Sequence, residues 1–213
     1  MEQQQNNGGG GGGGGENGSL LEMESTGRCL TSFVVEEGSR DCHRYYLSRR
    51  TALEMLKDRG FSVPSSEMHL SFQQFRATFS DSPDVDRLTF SATHSSHPSK
   101  GDSLSGLILV VHSNFSKPAR TALEGFSFKV EIFQITDLLV DITKHVINPR
   151  HQILSNKEKQ RLLEKHNIED KQLPRLSKDD AIARYYGLQK GQVVKFMYDG
   201  DITGSFVSYR CIS

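Results

Sequence analysis

Apolar residues recur at helical spacing in two early segments. From His43 to Arg59, Tyr45, Ala52 and Leu56, with Tyr46 and Leu53, form one face, and Gly60 stops the run. A second helix is predicted from a Ser66 cap, with Met68, Phe72, Phe75 and Phe79 as its stripe and Ser-Asp-Ser-Pro83 as its end. That stripe is read as a core seam in preference to a base-stacking surface. The period then changes to two. Leu88, Phe90 and Ala92 alternate with polar residues, as do Phe128, Val130 and Ile132. Leu104 to Val111 is a continuous apolar run, which predicts a buried strand. Between the last two strands, Lys117 to Glu124 reads as a short helix with Pro118 at its start, giving a right-handed βαβ unit.

A compositional shift at Asp141 to Pro149 sets a predicted domain boundary near residue 140. Beyond it, Ser155 and Glu158 form a capping box that leads a helix through His166. Asp179 and Asp180 open another helix that ends at Tyr186-Gly187. Gln192–Tyr198 and Ser205–Cys211 read as two strands joined across Asp199-Gly200. The fold class expected is α/β (α+β), with an N-terminal α/β domain over 41–140 holding a small mixed sheet. A compact α+β domain follows over 141–213.

Composition adds an extension at 1–40. Gly8 to Gly15 are consecutive and lose too much backbone entropy to order, so a flexible Gln/Asn/Gly-rich tract is expected. Leu30 to Val35 is either an added strand or loose. No apolar run has the length of a membrane span, and the first residues lack the basic start and apolar stretch of a secretory signal, so neither is expected. Cys29, Cys42 and Cys211 are odd in number and widely spaced, which suits free thiols in the cytosol or nucleus. The net charge is zero. By segment it is −4 over 1–40 (2 basic, 6 acidic), 0 over 41–140 (11 and 11) and +4 over 141–213 (13 and 9). The last value suits a solvated face, an acidic partner surface or nucleic acid, and falls far short of a self-sufficient DNA-binding domain.

Residue spacing yields no catalytic constellation. The octaglycine lacks the preceding strand and following helix of a phosphate loop. His94 and His97 sit in a Ser-rich stretch without thiol or carboxylate neighbours at ligand spacing, so a solvated loop is favoured over a metal site. Cys42 and His43 diverge on adjacent helical positions. His145 and His151 flank Pro149 and suit hydrogen bonds or partner contacts.

The C-terminal third carries a specific pattern. Gln172-Leu-Pro-Arg175, Ala183-Arg-Tyr-Tyr-Gly-Leu188, Gly191-Gln-Val-Val-Lys195 and Tyr209-Arg210 together resemble the fifth subunit of eukaryotic nuclear DNA-dependent RNA polymerases, a family whose C-terminal module archaeal polymerases share. Ile142 to His145, Pro149 and His151 match upstream, as do Arg49-Arg50, Asp58-Arg-Gly60 and Gln73-Gln-Phe75. The resemblance covers residues 41–213. His43-Arg-Tyr-Tyr and Phe126 to Asp137 are similar to plant members. The extension resembles paralogues of the plant polymerase acting in RNA-directed DNA methylation.

The resemblance implies a non-catalytic nuclear subunit, without cofactor, metal, membrane or small-molecule substrate. Its jaw domain (41–140) would lie near downstream DNA, and its assembly domain (141–213) would dock on the largest subunit, beside other polymerase subunits. Carried over, the docking residues are His145, Pro149, His151, Gln172, Leu173, Pro174, Arg175, Arg184, Tyr185, Tyr186, Gly187, Gln192, Lys195, Tyr209 and Arg210. Filling the domain's own core is an equal alternative for the two tyrosines. Lys117, Pro118 and Arg120 are the DNA-proximal set, making weak phosphate contacts without sequence readout. This sequence departs from the family between Thr93 and Leu104, where a strand and helix are replaced by the short polar run His94–Ser103. The alternatives are a free-standing nucleic-acid-binding adaptor and a functionally impaired paralogue.

Overall fold

The computed structural model describes residues 40–96, 104–114, 116–199 and 204–213. The expectations for the extension at 1–39, for Cys29 and His97, and for most of the 94–103 run lie outside the described residues, as do the side chains of Arg120 and Glu124.

Helix α1 (Arg40–Asp58) buries Leu47, Ser48, Thr51, Ala52, Leu53 and Met55. Tyr45 and Leu56 are only half-buried, so the deeply buried face is rotated from the predicted one. The reason is that α1 is packed from several directions. Tyr46 meets Phe72 and Phe75, Tyr45 meets His112, and Ala52 and Met55 meet Phe133 and Tyr185. Gly60 ends the helix region at a φ of 91°, a conformation that favours glycine.

The predicted helix from Ser66 is two pieces. Pro64 opens a single turn, α2 (Ser65–Met68). Helix α3 (Phe72–Phe79) starts later, because Ser71 and Gln74 form a capping box there. The seam reading holds on the shortened helix, with Phe75 buried.

The alternation at Leu88 to Ala92 is real in exposure but forms no strand. Asp84 caps a 3-10 turn over Val85–Leu88, and the chain then runs extended until β2 (Thr93–His94), which pairs antiparallel with β1 (Phe61–Ser62). Strands β3 (Gly106–Val111) and β4 (Lys129–Gln134) are parallel, and α4 (Lys117–Glu124) lies between them in sequence, as predicted. The predicted buried run is not fully buried: Leu104, which precedes β3, is 62% exposed and Val110 within it 41%. The sheet has two strands among the described residues, too few to enclose an apolar run on all sides.

The C-terminal part holds β5 (Arg150–Ile153), α5 (Asn156–His166), β6 (Arg175–Leu176), α6 (Ala181–Tyr185), β7 (Val193–Tyr198) and β8 (Phe206–Ile212). The sheet order is β5-β7-β8-β6, and β6 runs parallel to β8 within an otherwise antiparallel set. Mixed pairing therefore occurs in this sheet, while the sheets of the N-terminal part are two separate pairs among the described residues. One face packs Val194, Phe196 and Ile212 on Ile182, Ala183 and Leu188. The opposite face packs Val193 and Cys211 on Leu162 and Leu173. The result is a three-layer α/β/α arrangement. Ser155 and Glu158 form the predicted capping box, and Asp180 caps α6.

Candidate docking surface

The family-pattern residues do not form one patch. The 3-D arrangement sorts them into a buried link, two opposite sheet faces, an edge strand and a protruding turn.

The link is built by α1, β4 and α6. Arg59 follows α1 and its guanidinium reaches Glu131 of β4 with two hydrogen bonds, of 3.0 and 2.9 Å. Its Nε donates to the Tyr185 carbonyl and its Nη2 to the Arg184 carbonyl, both at 2.7 Å. Arg184 donates to Asp137 at 3.0 Å and to the Ile132 carbonyl at 2.9 Å, and stacks over Phe133. The Tyr185 hydroxyl donates to Asp58 at 2.8 Å, and the ring is buried with Ala52, Met55, Phe133 and Leu138. Burial, with Asp141 and Asp58 nearby, pushes the Tyr185 phenol far upward. Gly187 holds a φ of 62° with its backbone against the Arg59 guanidinium. Arg184, Tyr185 and Gly187 are thus committed within the chain.

On the α6 face of the C-terminal sheet, His151 Nδ1 donates to the Pro149 carbonyl at 3.2 Å, and its Nε2 pairs with the Tyr186 hydroxyl at 3.0 Å. The Tyr186 phenol is pushed up to about 12 by burial and by Asp58 and Asp141. Arg210 lies over Phe196 on this same face.

The other face carries Lys195 and Tyr209, which are cross-strand partners, with Gln152 beside Lys195. With Leu154, Glu158, Arg161, Leu162 and Lys165 they line a shallow groove of about 270 Å³. Leu173 is buried beneath this face.

Strand β6 is a sheet edge. Its Arg175 and the preceding Pro174 are exposed, while Leu173 and Leu176 point inward. Gln172 closes a local cap by accepting from the Glu169 N–H, and Gln192 accepts from the Gln189 N–H. His145 and Pro149 flank a turn whose tip, Val146 and Ile147, is 73% and 84% exposed. Lys117 and Pro118 are exposed at the start of α4, whose Ser116 cap accepts from the Ala119 N–H.

Sequence reasoning missed the Val146-Ile147 tip, the Arg59–Glu131 pair, and Arg161 with Lys165. The last two were legible as a basic i, i+4 pair beside the buried Leu162. His94 packs on Phe61 and accepts from the Ser96 N–H. Among the described residues no group of three or more His, Cys, Asp or Glu could hold a metal, and no helix is long and apolar enough to cross a membrane.

Two family models match the chain: "RNA polymerase Rpb5, N-terminal domain" over residues 39–121 and "RNA polymerase Rpb5, C-terminal domain" over 140–212. Among curated proteins, an Arabidopsis thaliana "DNA-directed RNA polymerases IV and V subunit 5B" is 45% identical, over 90% of this chain and 100% of the relative. An Arabidopsis "DNA-directed RNA polymerase V subunit 5A" is 47% identical, over 86% and 94%. A Caenorhabditis briggsae "DNA-directed RNA polymerases I, II, and III subunit RPABC1" is 28% identical, over 81% and 97%. The first alignment spans 218 positions but takes in 90% of a 213-residue chain, about 192 residues, so about 26 of its positions are gaps in this chain.

Proposed function

The chain belongs to the Rpb5 family of RNA polymerase subunits, and from that premise we propose that it is a non-catalytic subunit of a nuclear DNA-dependent RNA polymerase. Residues 141–213 dock on the largest subunit, and residues 41–140 stand as a jaw toward downstream DNA. The polymerase is of the plant class named in the two Arabidopsis relatives, and the resemblance of the N-terminal extension supports a role in RNA-directed DNA methylation. The single observation that carries this reading is the pair of Rpb5 matches, one to each half of the chain.

The geometry supports a division of labour within the docking set. Arg184, Tyr185 and Gly187 fix the C-terminal part against α1 and β4, so they act in docking by positioning. The exposed Pro174 and Arg175, the Val146-Ile147 tip, and the Lys195–Tyr209 face are free to meet a partner. Proline limits the ordering cost at such a segment, and arginine and tyrosine are residue types that dominate interface energy. Near DNA, Lys117 offers an exposed cation at the start of α4. Its contribution is phosphate-directed and weakens with salt.

The jaw is shortened. The polar run at 94–103 supports loss of a strand and helix there, and the exposure of Leu104 and Val110 is consistent with it. The test of the whole reading is affinity purification of the tagged full chain from plant nuclei, followed by mass spectrometry. Recovery of the largest polymerase subunit in stoichiometric amount is expected; its absence refutes the assignment.

A further inference from the structure

The groove between α5 and the open face of the C-terminal sheet has a chemistry that the family assignment does not specify. Arg161 and Lys165 rise from one side of α5, and Lys195 faces them from the middle of β7. None of the three has an ion-pair partner among the described residues. By contrast, Lys159 on the same helix is held by Asp170 and the Gly191 carbonyl. The groove's one carboxylate, Glu158, is bound by the Ser155 N–H and hydroxyl at 2.8 and 2.7 Å and feels the charges of Arg161 and Lys195, so it offsets only one of the three cations. The groove therefore has a surplus of positive charge. Its walls are also apolar, with Leu154, Leu162 and the Tyr209 ring. A DNA duplex keeps its bases stacked inside and would satisfy the cations with phosphates while bringing nothing apolar to those walls. A short acidic peptide segment with an aliphatic or aromatic side chain satisfies both.

Resting on the docking function above, we propose that this groove binds an acidic, apolar-anchored segment of the polymerase's largest subunit, with Arg161, Lys165 and Lys195 pairing its carboxylates and Tyr209 covering its anchor side chain. Paired cations across a rim steer association and set register, so their effect should depend on salt.

The experiment co-expresses the full chain with the largest subunit and measures how much is retained through washes of rising salt. Wild type, the charge-reversed R161E/K165E/K195E triple variant and the charge-conserving R161K/K165R/K195R triple variant are compared. Circular dichroism and the three single variants guard against misfolding, because a graded loss across single variants is independent of whether the triple folds. Expected is retention reduced at least about tenfold by charge reversal, near-wild-type retention in the conserving variant, and loss of wild-type retention with salt. If wild type and the folded reversed variant retain the largest subunit equally, the groove assignment is wrong and the docking function stands. If wild type retains none, the docking function itself fails and the groove falls with it. Anisotropy with a labelled DNA duplex supplies the remaining arm. No binding is expected, and binding that charge reversal abolishes would reassign the groove to nucleic acid.

Discussion

Arg59 shows how much one side chain can fix. It is nearly buried, it neutralises Glu131, and it satisfies two carbonyls of the α6 end. Removing the guanidinium leaves Glu131 with only the exposed Lys129, 3.1 Å away, so the cost approaches that of a broken buried pair, about 3–5 kcal/mol. Arg59→Met should lower stability by that order in urea unfolding, and Arg59→Lys should recover only part, because an ammonium cannot reproduce the fork. Gly187→Ala acts on the same spot, since an added Cβ would lie 3.2 Å from the Arg59 guanidinium at a positive φ. The pair also sets an acid limit. Burial raises the Glu131 pKa, but hydrogen bonds and charge from Arg59, then Lys129, more than reverse this and hold it below its ordinary 4.5. A depressed folded value gives stability that is present above the unfolded value and lost as pH falls through the folded one. Urea midpoints should therefore decline below about pH 4.5, and Glu131→Gln should flatten that decline. Glu54 has the opposite sign, because burial raises its carboxyl. Its contribution is present at acid pH and lost as pH rises.

At the scale of elements, the sequence was legible where local chemistry decides. The α5 capping box, the Asp180 cap, the parallel β3–β4 pair and the β7–β8 hairpin strands follow from residue types at fixed offsets. It was illegible where a distant partner decides. Strand β6 is two residues long and exists because β8 lies beside it, and Leu88 to Ala92 has no partner strand among the described residues, so its alternation produces no ladder there. The same division runs through the proposed docking set, whose members come from the sequence pattern while their sorting onto opposite faces needed the register. Strand β3 carries the element-scale prediction. Its outer edge has no strand partner among the described residues, and Gly106 to Val111 contains no charge or proline to blunt it. Val110→Lys should reduce concentration-dependent association of the isolated protein in sedimentation velocity, with little change in unfolding midpoint. Unchanged association would place the contact elsewhere.

For the whole molecule, the question is whether the boundary near residue 140 separates two folding units. The two family matches fall on either side of it, yet the core of Ala52, Met55, Phe133, Leu138 and Tyr185 draws on both. Cutting the chain there would strip Tyr185 of Asp58, Arg184 of Asp137 and the Ile132 carbonyl, and Lys144 of Glu54. Apart from the exposed Lys144, these are buried or half-buried polar groups, and leaving each of those unsatisfied costs about 1–3 kcal/mol. That sum is a large share of the roughly 5–15 kcal/mol by which a domain is stable. Residues 40–213 should thus unfold in one calorimetric transition, with equal van't Hoff and calorimetric enthalpies. Tyr185→Ala should shift that transition as a whole, by about 3–5 kcal/mol for loss of a buried aromatic. If two transitions appear and Tyr185→Ala moves only the one belonging to 141–213, the halves are independent, and the Arg59 link holds them in register without making them cooperative.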